Sequence, residues 1–255
     1  MALDRPLAYG SGGCPSKART QQNIPTGLAS RKDNMTVKRR GIVCVASTMI
    51  LATFTQAQSS GVPLRAVRGQ TIVSKGLPSA EFNIGKDFRY IGGQQVNLYG
   101  NADAEQHIFV KAGSDGIVER FYWLQFEHLL PTNTHTYDYR GGTIDIGGLT
   151  FIYDVKTWPD YAANETEDPA SDGAAISRLL AQHNLAFPKK SARVRMFHLP
   201  TPDHRTELMI IYGEALPERS AVPVRAGGVQ LDKESPDSAQ IFLDHMRSDM
   251  TIRKP

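Results

Sequence analysis

The stretch EQHIFVKAGSDGIVERFYWLQFE, residues 105–127, decides the fold of this chain. Two runs rich in β-branched and aromatic residues, Glu105–Lys111 and Ile117–Glu127, flank Ala112-Gly113-Ser114-Asp115-Gly116. Asp-Gly supplies the positive φ that a tight reversal needs, so the stretch predicts a β-hairpin. The second run is apolar on both faces. Val118, Tyr122, Leu124 and Phe126 alternate with Ile117, Phe121 and Trp123, as in a central strand covered from both sides. With a five-residue loop setting the register, Lys111 pairs with Ile117 and His107 faces Phe121.

Working outward, Gln95–Tyr99 reads as a short strand. Ile144-Asp145-Ile146, Gly147-Gly148 and Leu149–Val155 predict a second hairpin, with Leu149, Phe151, Tyr153 and Val155 on one face. Ala192–Leu199 and Thr206–Tyr212 predict two more strands. Residues 172–184 predict a helix capped by Ser171, with Ile176, Leu179, Leu180 and His183 on one stripe. A last helix starts at Pro236 behind Ser235, with Ala239, Phe242, Leu243 and Met246 at i, i+3, i+4, i+7. Both serines are expected to cap through their hydroxyls. The fold class is α+β: a mostly antiparallel, curved sheet or partial barrel of about six to eight strands, with two helices packed on it.

The chain divides unevenly. Residues 1–34 are polar and rich in Gly, Ser and Gln, a composition that buries no core, and read as a disordered extension or a mis-assigned start. Met35 stands where an initiator would, just before Lys38-Arg39-Arg40 and the uncharged run Gly41–Phe54. Thr55-Gln56-Ala57 then places small residues at a cleavage site, so residues 35–57 read as a signal peptide ending near Ala57. The uncharged run is shorter than the ~20 residues of a spanning helix. The expected location is therefore secreted or periplasmic, with no stable membrane span after cleavage. Residues 58–87 read as a loosely structured entry segment and residues 88–255 as a single α+β domain.

Removing the leader changes the charge. Residues 1–57 hold 8 of the 29 Lys and Arg but 2 of the 26 Asp and Glu, so a whole-chain charge of +3 becomes −3. Nucleic acid is thereby not an expected partner. Cys14 and Cys44 both fall in the leader, which excludes a disulfide framework or a cysteine nucleophile in the domain. No nucleotide loop, G-x-S-x-G elbow or H-E-x-x-H motif occurs, and no cofactor is expected.

Three groups of residues carry candidate chemistry. Glu105 and His107 share a strand face, and a carboxylate beside an imidazole fixes its tautomer and prepares a general base. Alternation through Thr132–Gly142 puts His135, Tyr137 and Tyr139 on one face and Asp138 on the other. His198, Asp203 and His204 flank a proline turn at a spacing that only loosely suits a metal. The reading that follows is binding of a small apolar or amphipathic ligand in a sheet concavity lined by Tyr122, Trp123, Phe126, His135, Tyr137 and Tyr139. A hydrolase-type enzyme using Glu105 and His107, or His135 with Asp138, is the alternative. A structural or interaction protein of the cell envelope is the third.

Overall fold

A computed structural model describes residues 65–159, 168–225 and 227–254. The expectations for residues 1–57 lie outside the described residues.

Among the described residues, twelve strands and three helices follow one another. Strands β1 (Arg65–Arg68), β2 (Thr71–Ser74) and β3 (Ala80–Ile84) lead into β4 (Arg89–Leu98), β5 (Ala102–Ala112) and β6 (Val118–Leu129). Next come β7 (Gly142–Ile146), β8 (Leu149–Trp158), helix α1 (Asp172–Ala181), β9 (Ser191–His198) and β10 (Thr206–Ala215). The chain closes with β11 (Val229–Gln230), α2 (Leu231–Glu234), α3 (Pro236–Asp249) and β12 (Met250–Arg253). The large sheet runs β11-β8-β9-β10-β6-β5-β4, with β7 also on β8, and a small sheet runs β1-β2-β3-β12. All named pairings are antiparallel, and neither sheet closes into a barrel. The fold is α+β. No helix among the described residues is long and apolar enough to cross a membrane.

Both faces of the large sheet are covered. On one face Phe109, Tyr122, Leu124, Phe126, Ile210 and Met196 meet α3 and the small sheet through Ile72, Phe82, Phe242 and Met246. On the other, Ile108, Phe121, Trp123, Phe197 and Ile211 meet α1 through Ile176, Leu179 and Leu180. Strand β6 is central, as its two apolar faces predict, and β10 beside it shares that property. Burying a large side chain on each face stabilises by about 1.5–3 kcal/mol per residue, so these strands anchor the domain.

Several local signals are realised. Gly147 and Gly148 both take positive φ, +58° and +77°, in the two-residue turn between β7 and β8. The Ser171 hydroxyl accepts from the Ala174 N–H at 3.2 Å and caps α1. In α3 the stripe Ala239, Phe242, Leu243, Met246 is buried.

Four expectations are corrected. The β5–β6 register is shifted by three: Lys111 pairs with Arg120 and His107 with Leu124. The reversal is tightened by the Gly113 and Gly116 bonds, and a bulge at Glu119 moves Val118 to the Trp123 face. Ile117 is left 39% exposed. The 58–87 segment, expected to be loose, contributes β1 to β3 from Arg65 onward. Its short alternating runs put Ile72, Ala80, Phe82 and Ile84 into the core. Residues 131–140 form no strand; only Tyr137 and Tyr139 turn inward, whereas His135 and Asp138 are exposed. Finally, Ser235 makes no side-chain cap; its hydroxyl donates to Ser238 Oγ at 2.9 Å.

Candidate functional site

The register brings Glu105 and His107 together, but beside different neighbours than expected. Both sit on the Phe126 face of β5, where Glu105 opposes Phe126 and His107 opposes Leu124. His107 Nε2 lies 2.9 Å from Glu105 Oε1, and Arg65 on β1 donates to Glu105 Oε2 at 3.0 Å. Burial alone pushes the Glu105 carboxyl up; the hydrogen bonds from His107 and Arg65, with the Arg65 charge, outweigh it and hold the group below its ordinary value. With that carboxylate ionised, Nε2 donates to it, and Nδ1 accepts from the Tyr90 hydroxyl 3.0 Å away. Burial and then the Glu105 charge push Tyr90 up to about 12, so its phenol keeps its proton. Gly93 makes this possible: it pairs with His107, and a Cβ there would lie 2.7 Å from Nδ1 and 2.8 Å from the Tyr90 oxygen. The Arg65 guanidinium also lies 4.1 Å over the Phe126 ring. Every lone pair and proton of the histidine is used. This is a sealed network that ties β1, β4 and β5 together.

The opposite face carries a second polar cluster, which sequence reasoning missed. Glu127 on β6 and Glu207 on β10 are directly opposed in the ladder and 4% and 3% exposed. Tyr137 donates to Glu127 Oε1 at 2.6 Å and Tyr139 to Glu207 Oε2 at 2.5 Å. Three glutamines in register across β4, β5 and β6 feed the same carboxylate. Gln94 donates to Gln106, Gln106 to Gln125, and Gln125 to Glu127 Oε2 at 2.7 Å. Burial raises both carboxyls, and the Glu127 charge raises Glu207 further. Asp172 at the start of α1 is raised by burial too. The nearby Arg195 is engaged in a two-pronged ion pair with Asp154. The period-two run Glu207, Met209, Ile211 placed this acid on a core face and was the available signal.

The six residues expected to line one concavity are distributed over both faces. Tyr122 and Phe126 lie under α3 and the small sheet, with the Tyr122 hydroxyl donating to the Met246 carbonyl at 2.7 Å. Trp123 lies on the α1 face. Tyr137 and Tyr139 stack with ring centres 6.2 Å apart, and Tyr139 stacks on Phe197 at 3.9 Å. His135 is exposed and Asp138 sits 3.9 Å from Arg140 on the surface. Of the loose metal candidates, His198 Nδ1 faces the Thr150 carbonyl. Asp203 accepts from Thr201 and the Arg205 N–H, holding the turn on which His204 is exposed. Among the described residues no three His, Cys, Asp or Glu side chains gather as a metal site.

A second carboxylate–histidine pair is open to solvent. At the end of β10, Glu214 Oε2 accepts from Tyr212 at 2.8 Å and faces His245 Nδ1 of α3 at 2.9 Å. The His245 side chain is 46% exposed, and its Nε2 bonds no other group among the described residues. The pair borders a cavity of about 230 Å³ walled by Leu216, Val222, Ile241 and Phe242. A second cavity of about 240 Å³ adjoins it, sharing Leu216, Pro217, Ser220 and Val222 and adding Lys190 and Glu218. Ile241, four residues before His245, is 53% exposed at the rim. An isoleucine on the solvent flank of α3, off its apolar stripe, was the one sequence sign of this cleft.

Compared with protein-family models, curated proteins and solved structures, the chain gave no match. The class its geometry defines is an antiparallel α+β domain with an amphipathic cleft between α3 and the segment after β10.

Proposed function

We propose that this is an exported binding domain that takes a small amphipathic ligand in the cleft between α3 and residues 215–224. What carries the reading is the meeting of an apolar wall, including the exposed Ile241, with a histidine oriented through Nδ1 by Glu214 and left with an unused Nε2. A ligand seats its apolar part on Leu216, Val222, Ile241 and Phe242 and hydrogen-bonds His245 with its polar end. A cavity of about 230 Å³ is below the roughly 300–1,000 Å³ of drug-sized sites, so the ligand is small or reaches into the adjoining cavity. Of the residues first expected to line the site, Tyr122, Trp123, Phe126, Tyr137 and Tyr139 are packed against other protein groups, and His135 is exposed. Export is read from the leader, whose removal leaves a mildly acidic, cysteine-free domain with no electrostatic case for nucleic acid.

Native mass spectrometry of the gently purified chain tests the binding reading. A retained adduct lost in Ile241→Asp is expected; an empty wild-type protein that takes up neither short-chain carboxylates nor alkylamines overturns it. N-terminal sequencing of exported material should begin at or near Gln58.

A hydrolytic reading rests on the same pair, since an imidazole held through Nδ1 with Nε2 outward is the geometry of a general base. Turnover of small ester probes abolished by His245→Ala would favour catalysis over binding.

A further inference from the structure

We propose that Glu127, Glu207, Tyr137 and Tyr139 form a pH-sensitive clasp that holds residues 136–141 against the large sheet while the two carboxyls share a proton, and releases them when both ionise. The argument starts from attachment. Between Pro131 and Arg140 the chain is mostly exposed, and Tyr137 and Tyr139 are the side chains that turn inward. Each ends in one hydrogen bond to one buried glutamate. Bonds insensitive to carboxyl ionisation tie the chain as well: before the segment Arg205 donates to the Leu130 and His135 carbonyls, and at its start the Tyr137 N–H donates to the His204 carbonyl, so release concerns the stretch beyond the Tyr137 N–H.

One negative charge is well accommodated. Glu127 has a phenol on one oxygen and an amide on the other, and the glutamine ladder points its donors toward that carboxylate. A second charge is not. Glu207 lies directly opposite on the same face, where cross-strand Cβ atoms are about 4.5–5.5 Å apart. No cation is ion-paired with either glutamate among the described residues. The charged groups facing the pair from the packed elements are Asp172 of α1 and Arg195 of β9. Arg195 is held by Asp154 of β8, and Asp172 adds further negative charge. Double ionisation therefore leaves two like charges in a water-poor site, and the open route to water is outward movement of the tyrosines. Both carboxyls are raised above the ordinary 4.5, burial being the largest cause. The closed form thus binds more protons than the open one, and closure weakens as pH rises.

Hydrogen exchange of amides 136–141 in the full chain, followed from about pH 5 to about pH 9, tests this. In wild type, exchange there should rise about tenfold per pH unit beyond the intrinsic base-catalysed rise once the second carboxyl ionises. Glu207→Gln keeps the shape and an acceptor for Tyr139 without a second charge, and should remain protected across the range. Tyr139→Phe keeps the stacking but removes the donor, and should open at lower pH. Should Glu207→Gln fold poorly, Glu127→Gln serves as the non-ionising partner. The same pH profile in wild type and the glutamine variant overturns the clasp, as does a wild-type segment still protected at the alkaline end.

Discussion

Glu105–His107 and Glu214–His245 are chemically the same pair at the same 2.9 Å separation, yet the molecule uses them differently. In the first, the carboxylate also holds Arg65, the second ring nitrogen holds Tyr90, and the histidine is 3% exposed. In the second, Nε2 is unused at the edge of a cleft and the side chain is 46% exposed. The lesson is physical. A histidine beside a carboxylate is chemically available only when its other nitrogen has nowhere to go within the fold.

That contrast breaks most easily at the sealed pair. Glu105→Ala leaves the buried Arg65 guanidinium and His107 without their partner, and should cost about 3 kcal/mol in denaturant unfolding. A loss under about 1 kcal/mol would mean that water already reaches the network. Next in size is Gly93→Ala, whose methyl would enter the space between His107 and Tyr90. It should cost about 1–3 kcal/mol. Tyr90, pushed up to about 12 in the wild type, should then titrate nearer its ordinary value of 10.0 in an absorbance titration.

Acidity separates the sheet faces by sign. Glu105 lies below its ordinary 4.5, so its contribution is present above that value and is lost as pH falls through the lowered one. Glu127 and Glu207 lie above 4.5, so theirs is complete below it and declines as pH rises. Unfolding curves across pH should therefore show Glu105→Gln converging with wild type in acid, whereas Glu207→Gln gains on it toward alkaline pH. The smallest effect belongs to the open pair. His245→Ala should change stability by less than about 0.5 kcal/mol, while removing the polar contact that the proposed binding reading assigns to a ligand.

Much of the fold was legible because its signals are local. The Gly147-Gly148 turn, the Ser171 cap, the α3 stripe and the two-faced β6 each follow from residues within one element. Register was not legible. It depends on a bulge at Glu119 that alternation alone does not reveal, and a shift by an odd number changes which faces meet. The alternation through 132–142 misled because Tyr137 and Tyr139 satisfy it singly, by reaching buried acids from a segment that pairs with no strand. Glu105 with His107 was readable, being two residues apart on one strand. Glu214 with His245 was not, because they are 31 positions apart with the whole of α2 between them.

We propose that the cleft beside α3, and not the sheet interior, is the working surface. Histidine-selective NMR of the full chain during addition of short-chain carboxylates and alkylamines tests it directly. Saturable shifts of the His245 ring and the Ile241 methyls, with His107 unmoved, are the predicted result. Shifts at His107 or the Tyr137–Tyr139 region with His245 unmoved, or no saturable shift anywhere, would contradict it.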